Sequence, residues 1–161
     1  VPKENLLGTK GNGFIGAMDI LDRGRTAIGA MSVGIARASF EDALEYAKQR
    51  QQFGRPIGKF QAIQWMLSDM ATEIDAARLL VFRAADMEDK KIRFTKEASM
   101  AKLFASEMAM RATVKGMQVL GGYGYTREYP LERYYRDIKL CTIGEGTSEV
   151  QRMVIARQLG L

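Results

Sequence analysis

A glutamate between two glycines is the feature of this 161-residue chain that most directly suggests chemistry. Glu145 lies between Gly144 and Gly146, and Thr147 and Glu149 follow where an apolar helix is predicted to begin. The sequence contains no histidine, so the commonest general base is absent and a carboxylate is the expected agent of any proton transfer. The glycines would let the backbone approach a ligand, and the helix start would offer free N–H groups to an electron-rich atom.

Three further segments combine residue types that bind charged or flat ligands, and each also has a purely structural interpretation. Arg25 lies within an apolar helical stripe, where an arginine either pairs with a carboxylate or orients a reactive group. Arg50 and Phe53 stand at a predicted helix end, where they could bind phosphate and stack on a ring, or complement the helix dipole and fill the core. The glycine-rich segment 118–125 could contact a ligand or simply end a helix. Glu145 itself could serve only the dipole of the following helix.

Composition narrows the class of protein. Hydrophobic residues make up 47% of the chain, which argues against a disordered protein. The net charge of +5 is spread along the sequence, so the charge pattern does not favour nucleic-acid binding. Cys141 is the single cysteine, so no intramolecular disulfide can form, and no Cys/His spacing typical of a metal site occurs. No apolar run approaches the ~20 residues of a membrane span. The opening residues from Val1 read as internal sequence, so we expect part of a larger protein.

Apolar residues recur at helical spacing through most of the chain, and strand-like alternation is absent. This pattern predicts a helix over residues 14–50, a second after the Gly/Pro break, a third that begins with Thr95 as N-cap and ends at Leu120, and short helices over 130–139 and 147–159. The stripe of the first helix is Ala17, Leu21, Ile28, Met31, Ile35 and Ala38. The stripe of the second is Ile63, Met66, Leu67, Met70, Ile74, Ala77 and Val81. The stripe of the third is Ala98, Ala101, Ala105, Met108, Ala112 and Val119. We therefore predict an all-α fold, an antiparallel four-helix bundle with additional short C-terminal helices.

The order and spacing of these segments resemble the C-terminal domain of the acyl-CoA dehydrogenase family. The segments that carry the resemblance are residues 1–8, 50–61, 118–130, 136–137 and 145–152. Each is weak alone, but the combination is specific and extends over residues 1–161. The N-terminal helical domain and the middle β-domain of such proteins have no counterpart in this chain. We therefore expect the isolated domain to bind flavin poorly and to lack activity.

The resemblance implies an FAD enzyme that oxidises an acyl-CoA thioester to the trans-2-enoyl-CoA. Glu145 matches the glutamate that removes the α-proton while the β-hydrogen leaves as hydride to flavin N5, and Arg25 matches an arginine that interacts with it. Asp22 matches a polar contact to the CoA portion. The remaining matches are FAD contacts: Arg50, Phe53, Gln118, Gly121 and Gly122 toward the cofactor of a neighbouring subunit, and Thr147 and Glu149 toward that of their own.

The resemblance also implies partners and a substrate preference. An electron-transferring flavoprotein is the expected electron acceptor, the assembly is a tetramer or dimer, and bacterial or archaeal cytoplasm and the mitochondrial matrix both fit. Gly144 stands where several relatives that act on straight chains carry tyrosine, so a branched or wider acyl group is a hypothesis. Gly24 occupies the position from which some relatives supply the base, and glycine cannot do so. The alternatives are an acyl-CoA oxidase type of relative and a non-catalytic helical module for oligomerisation.

Overall fold

A computed structural model describes residues 1–161 and confirms the all-α class. Short 3-10 helices lie at Lys3–Asn5 and Ile57–Lys59, and none of the α-helices combines the length and hydropathy needed to cross a membrane. The remaining elements are α1 (Gly13–Gln49), β1 (Gln51–Gln52), β2 (Arg55–Pro56), α2 (Gln61–Asp89), α3 (Thr95–Leu120), α4 (Gly122–Tyr125), α5 (Leu131–Cys141) and α6 (Ser148–Gln158).

The three long helices pack against one another, and α3 is the central element. It contacts α1 and α2 along its length and carries α5 and α6 on its remaining surface. The predicted stripes of α2 and α3 are confirmed. From Leu67 to Val81 the α2 stripe is buried, and all six members of the α3 stripe are buried. These stripes form most of one hydrophobic core, whose alanines allow the helices to approach closely.

The stripe predicted for α1 is wrong. Ile28 and Ile35 are only half-buried and Met31 is 44% exposed. The face that α1 turns toward the core instead carries small and polar residues: Asp22, Arg25, Thr26, Gly29, Ser32, Ala36, Ser39, Ala43 and Ala47. Close approach of α1 to α3 requires small side chains, so the bulkier apolar residues lie at the margin of the contact.

Two local features also differ from the sequence prediction. A two-stranded antiparallel hairpin pairs Gln51 with Pro56, where no strand was expected, and positive φ angles at Phe53 (53°) and Gly54 (76°) form its turn. Thr95 is not an N-cap. It is the first helical residue of α3, and its hydroxyl donates to Asp22 of α1 at 2.6 Å. A long-range contact therefore uses the hydroxyl that local capping would have used.

The contact between Gly116 of α3 and Ser39 of α1 yields a prediction about stability. A Cβ on Gly116 would collide with Ser39 Oγ, whereas a Cβ on Gly34, on the exposed side of α1, would meet no atom within 4 Å. Gly116→Ala should lower the free energy of unfolding by about 1–3 kcal/mol through overpacking. Gly34→Ala should raise it by about 0.4–1 kcal/mol, because alanine restricts the unfolded chain. Urea titration measures the free energy of unfolding of both variants, provided that its dependence on urea concentration is unchanged. Equal effects of the two changes would contradict the close contact between Gly116 and Ser39.

Candidate active site

The loop at residues 144–147, which we call the acid loop, joins α5 to α6 and has an unusual backbone. Glu145 has φ = 55°, in the left-handed region that non-glycine residues rarely adopt, and Gly146 has φ = 96°. A Cβ on Gly146 would lie 2.8 Å from Gln151 Nε2, so glycine is required there. A left-handed glutamate costs about 1–2 kcal/mol, and surrounding contacts must hold it.

Side chains from three helices supply those contacts by donating to the loop carbonyls. Gln151 Nε2 of α6 donates to the carbonyls of Glu145 and Gly146 at 3.0 and 2.9 Å. Lys102 Nζ of α3 donates to the Gly146 carbonyl at 2.7 Å. Arg25 Nε of α1 makes a longer bond of 3.5 Å to the Glu145 carbonyl. All three side chains are buried, so they fix the acid loop from the interior of the domain.

The carboxylate of Glu145 lies directly against the backbone of α1 at Gly24. A Cβ on Gly24 would be 2.6 Å from Glu145 Oε2 and 2.7 Å from its Cδ, so a side chain there would require the carboxylate to move. The space that a side chain at position 24 would fill is therefore occupied by the glutamate. The structure brings together the predicted base and the glycine that sequence reasoning excluded as a base.

Asp22 and Arg25 form a buried pair next to this contact. Arg25 Nη1 donates to Asp22 Oδ1 at 2.7 Å, and the Thr95 hydroxyl donates to the other oxygen, Oδ2. Arg25 thus contacts the main-chain carbonyl of Glu145 rather than the Glu145 carboxylate. The charge of Arg25 is compensated by Asp22. The predicted substrate contact, Asp22, has both carboxylate oxygens bonded within the chain.

Lys102 and Cys141 are two buried titratable groups beneath the acid loop. Neither side chain is exposed. Burial lowers the pKa of Lys102, with the nearby charge of Arg25 acting in the same direction. Burial also raises the pKa of the Cys141 thiol. Lys102 lies next to alanines of the α3 stripe, so its burial could have been inferred from helical spacing, whereas Gln151 was noted only as a member of the segment 145–152 and no role was expected for it.

A second site lies at the far end of α3, in a cleft of about 560 Å³ that we call the glycine cleft. The residues that line it are Tyr46, Arg50, Gln52, Ile57, Gln118, Val119, Leu120, Gly121, Gly122, Tyr123 and Thr126. Four of the predicted cofactor residues, Arg50, Gln118, Gly121 and Gly122, therefore meet in one place. A cluster of Tyr46, Tyr123 and Tyr129, with ring centroids 5.6–6.4 Å apart, holds α4 beside the end of α1.

Phe53 does not line this cleft. It is 91% exposed at the tip of the hairpin, where its ring meets Phe60 edge-on with centroids 6.0 Å apart. The interpretation of Phe53 as a core residue is therefore wrong. Its position leaves the ring available to a molecule outside this chain.

Thr147 and Glu149 line a smaller cleft of about 430 Å³ beside the acid loop. The Thr147 hydroxyl accepts the backbone N–H of Val150 at 3.4 Å, which makes Thr147 the N-cap of α6. A hydrogen bond from Thr147 lowers the pKa of the exposed Glu149 carboxyl. Two further clefts lie along α3 between this cleft and the glycine cleft. One shares Met110 with the smaller cleft, and the other shares Gln118 and Gly121 with the glycine cleft. No group of three or more His, Cys, Asp or Glu side chains could hold a metal ion.

Comparison with known proteins agrees with this architecture. Residues 11–160 match the sequence profile described as acyl-CoA dehydrogenase, C-terminal domain. The chain therefore belongs to the acyl-CoA dehydrogenase family.

Individual relatives are similar over nearly all of this chain, but the chain covers less than half of each relative. The chain is 57% identical over 99% of its length to a probable acyl-CoA dehydrogenase YngJ of Bacillus subtilis. It is 52% identical over 99% of its length to the caffeyl-CoA reductase-Etf complex subunit CarC of Acetobacterium woodii. The structure of butyryl-CoA dehydrogenase from Megasphaera elsdenii superimposes over the whole chain with a TM-score of 0.98 and 50% identity. The chain spans 42% of the length of each of these three proteins.

The burial of Cys141 predicts a protected thiol. With no exposed surface and a raised pKa, the side chain can react only after local opening of the structure. Iodoacetamide at pH 8 should therefore modify native protein at least about tenfold more slowly than protein in denaturant. Mass spectrometry of the intact chain over time provides the measurement, and equal rates in the two conditions would contradict the packing described for α5.

Proposed function

We propose that this chain is the C-terminal domain of an FAD-dependent acyl-CoA dehydrogenase, in which Glu145 removes the α-proton of an acyl-CoA thioester. Arg25 acts on the conformation of the base, because it donates to the Glu145 carbonyl. When bound, FAD would supply the hydride acceptor that the β-hydrogen needs, so that loss of both hydrogens gives the trans-2-enoyl-CoA. Membership of the family and the match to named acyl-CoA dehydrogenases support this proposal.

The observation that carries the proposal is the placement of the Glu145 carboxylate. Buried donors hold the Glu145 backbone in a left-handed conformation, and the carboxylate occupies the space that a side chain at position 24 would fill. A residue that only complemented the dipole of α6 would need none of these constraints. Such over-determination of a strained residue is typical of functional sites.

The glycine cleft has the donor set that a dinucleotide pyrophosphate requires. Arg50 supplies a charged planar donor, and Gln118 supplies an amide. A Cβ on Gly121 or Gly122 would meet no atom within 4 Å, so the surface above this backbone is open to a ligand. We propose that the cleft holds part of FAD, with Phe53 on the exposed hairpin as an additional aromatic contact, while Thr147 and Glu149 contact FAD beside the acid loop.

Self-association is part of the proposal. The predicted α2 stripe is buried in the core of this chain, but the opposite face of α2 leaves Trp65, Leu79 and Phe82 each more than 60% exposed. Such apolar exposure is typical of an interaction surface. We propose a homo-oligomer, a dimer or tetramer, in which Arg50 and the glycine cleft serve the FAD of a neighbouring copy. We also propose that the domain is an antiparallel four-helix bundle, in which α1, α2 and α3 are three of the helices and α5 and α6, beside α3, take the place of the fourth.

The remaining partners follow from the relatives. The name of the Acetobacterium relative includes an Etf complex, which supports an electron-transferring flavoprotein as the electron acceptor. The bacterial relatives support a location in the cytoplasm. A mitochondrial short-chain specific acyl-CoA dehydrogenase of Rattus norvegicus, 53% identical over 99% of this chain, supports the mitochondrial matrix as the alternative. Asp22 is proposed as a contact of the CoA portion. A Cβ on Gly144 would meet only Leu140 O within 4 Å, at 3.5 Å, which supports room for a branched or wider acyl group at this position.

Replacement of the base tests the proposed reaction. In the full-length enzyme, Glu145→Gln keeps the size of the side chain but cannot accept the α-proton, so kcat should fall by about 10²–10⁴-fold. Glu41→Gln, an exposed position on α1, serves as the control and should leave kcat unchanged. Reduction of bound flavin by acyl-CoA is followed by absorbance. Full activity of Glu145→Gln would reject Glu145 as the base and favour a non-catalytic domain or a displaced base.

Replacement of Arg50 tests the proposed cofactor site. Loss of its charged hydrogen bonds should weaken FAD binding by roughly 10- to 100-fold in Arg50→Met of the full-length protein. Arg37→Met on the same helix removes an exposed arginine whose only ion-pair partner is Glu41, and it should retain FAD. Titration of the apoprotein with FAD measures both affinities. Equal affinities would show that the glycine cleft does not hold this cofactor.

A further inference from the structure

Lys102 is a buried cation without a carboxylate partner. None of its atoms is exposed to solvent, and no Asp or Glu oxygen lies within 4.0 Å of its Nζ. The titratable groups around it are Arg25 of α1, Glu107 of α3, Cys141 of α5 and Glu149 of α6. Burial of an amine in such a place is costly, and an apolar residue of similar volume would ordinarily pack at lower cost.

The one hydrogen bond of Lys102 is directed at the acid loop. Its Nζ donates to the Gly146 carbonyl at 2.7 Å, and Gln151 Nε2 donates to the same oxygen at 2.9 Å. This carbonyl belongs to the residue that directly follows Glu145, and Gly146 itself has φ = 96°. Two donors on one oxygen hold the peptide between Gly146 and Thr147, which follows directly on the peptide that joins Glu145 to Gly146.

We propose that Lys102 is a positioning residue of the reaction, which keeps the Glu145 carboxylate against Gly24 by anchoring the Gly146 carbonyl. The inference rests on the proposed function, because it names a residue that acts through the proposed base. Lys102 does not touch substrate or cofactor. Its action is geometric, and it therefore affects the chemical step more than the binding of acyl-CoA.

The test uses Lys102→Met in the full-length, flavin-loaded enzyme, because methionine has nearly the same length and cannot donate. A shift of about 1 Å in a catalytic group costs roughly 100-fold, so kcat per bound flavin should fall by about 100-fold while KM changes less than about threefold. Lys115→Met is the matched control, since this lysine is on the same helix and pairs with Asp69 at a distance from the loop. The control should retain wild-type kcat.

A purely structural role gives a different result. In that case Lys102→Met would lower the melting temperature while kcat per bound flavin stayed at the wild-type value, and this outcome would overturn the inference. If the Met variant yields no flavin-loaded enzyme, Lys102→Gln decides, because its shorter amide cannot reach the carbonyl at the same distance. The same drop in kcat with unchanged KM supports the inference, and wild-type kcat rejects it.

A double mutant identifies the shared carbonyl. Gln151→Met should also lower kcat, and Lys102→Met combined with Gln151→Met should lose clearly less than the product of the two single losses, because both donors hold one oxygen. Independent, multiplicative losses would reject the common anchor.

The Glu145→Gln enzyme separates the two proposals. If Glu145→Gln is inactive and Lys102→Met is fully active, only the role of Lys102 fails. If Glu145→Gln is fully active, the proposed function fails whatever the lysine does.

Discussion

The hydrogen bonds to the carbonyls of Glu145 and Gly146 are the interactions on which the rest of this structure depends. A glutamate with φ = 55° is unfavourable by itself, so it persists only where surrounding groups compensate. The compensating donors come from α1, α3 and α6, which are distant in sequence. The three helices must therefore meet beneath one loop, and this requirement explains why α3 lies at the centre of the domain and α6 packs against it.

Small side chains make this convergence possible. A Cβ on Gly29 of α1 would lie 3.5 Å from the backbone of Ala101, the residue before Lys102. At that separation the two helices bring Arg25 and Lys102 to the same loop. A bulky apolar contact between α1 and α3 would add hydrophobic stabilisation, but it would move one donor away from its carbonyl. The polar and small face of α1 is thus a consequence of the site rather than of core packing alone.

This conflict between apolar packing and the placement of polar donors explains which parts of the structure could be predicted from the sequence. The stripes of α2 and α3 were predictable because they bury ordinary apolar residues at helical spacing. The stripe of α1 was not, because its buried face carries Asp22, Arg25 and serines, which hydropathy assigns to solvent. Thr95 was assigned to local capping, since a contact with Asp22 across 73 positions leaves no local signal. The meeting of Arg50 with the glycine segment could be expected only from the family resemblance, because periodicity does not reveal which helix ends adjoin.

Helix α3 also couples the two proposed parts of the site. Lys102 near its start anchors the acid loop, and residues 118–122 at its end form the glycine cleft. Sixteen residues of α-helix separate Lys102 from Gln118, a distance of about 24 Å at 1.5 Å per residue. An α-helix packed on several sides changes length very little, so the spacing between the proposed base and the proposed cofactor cleft is fixed within one chain. Any ligand that contacts both regions of one chain must match that spacing. Where a neighbouring copy contributes its glycine cleft, the distance from that cleft to the copy's own acid loop is set by the same helix.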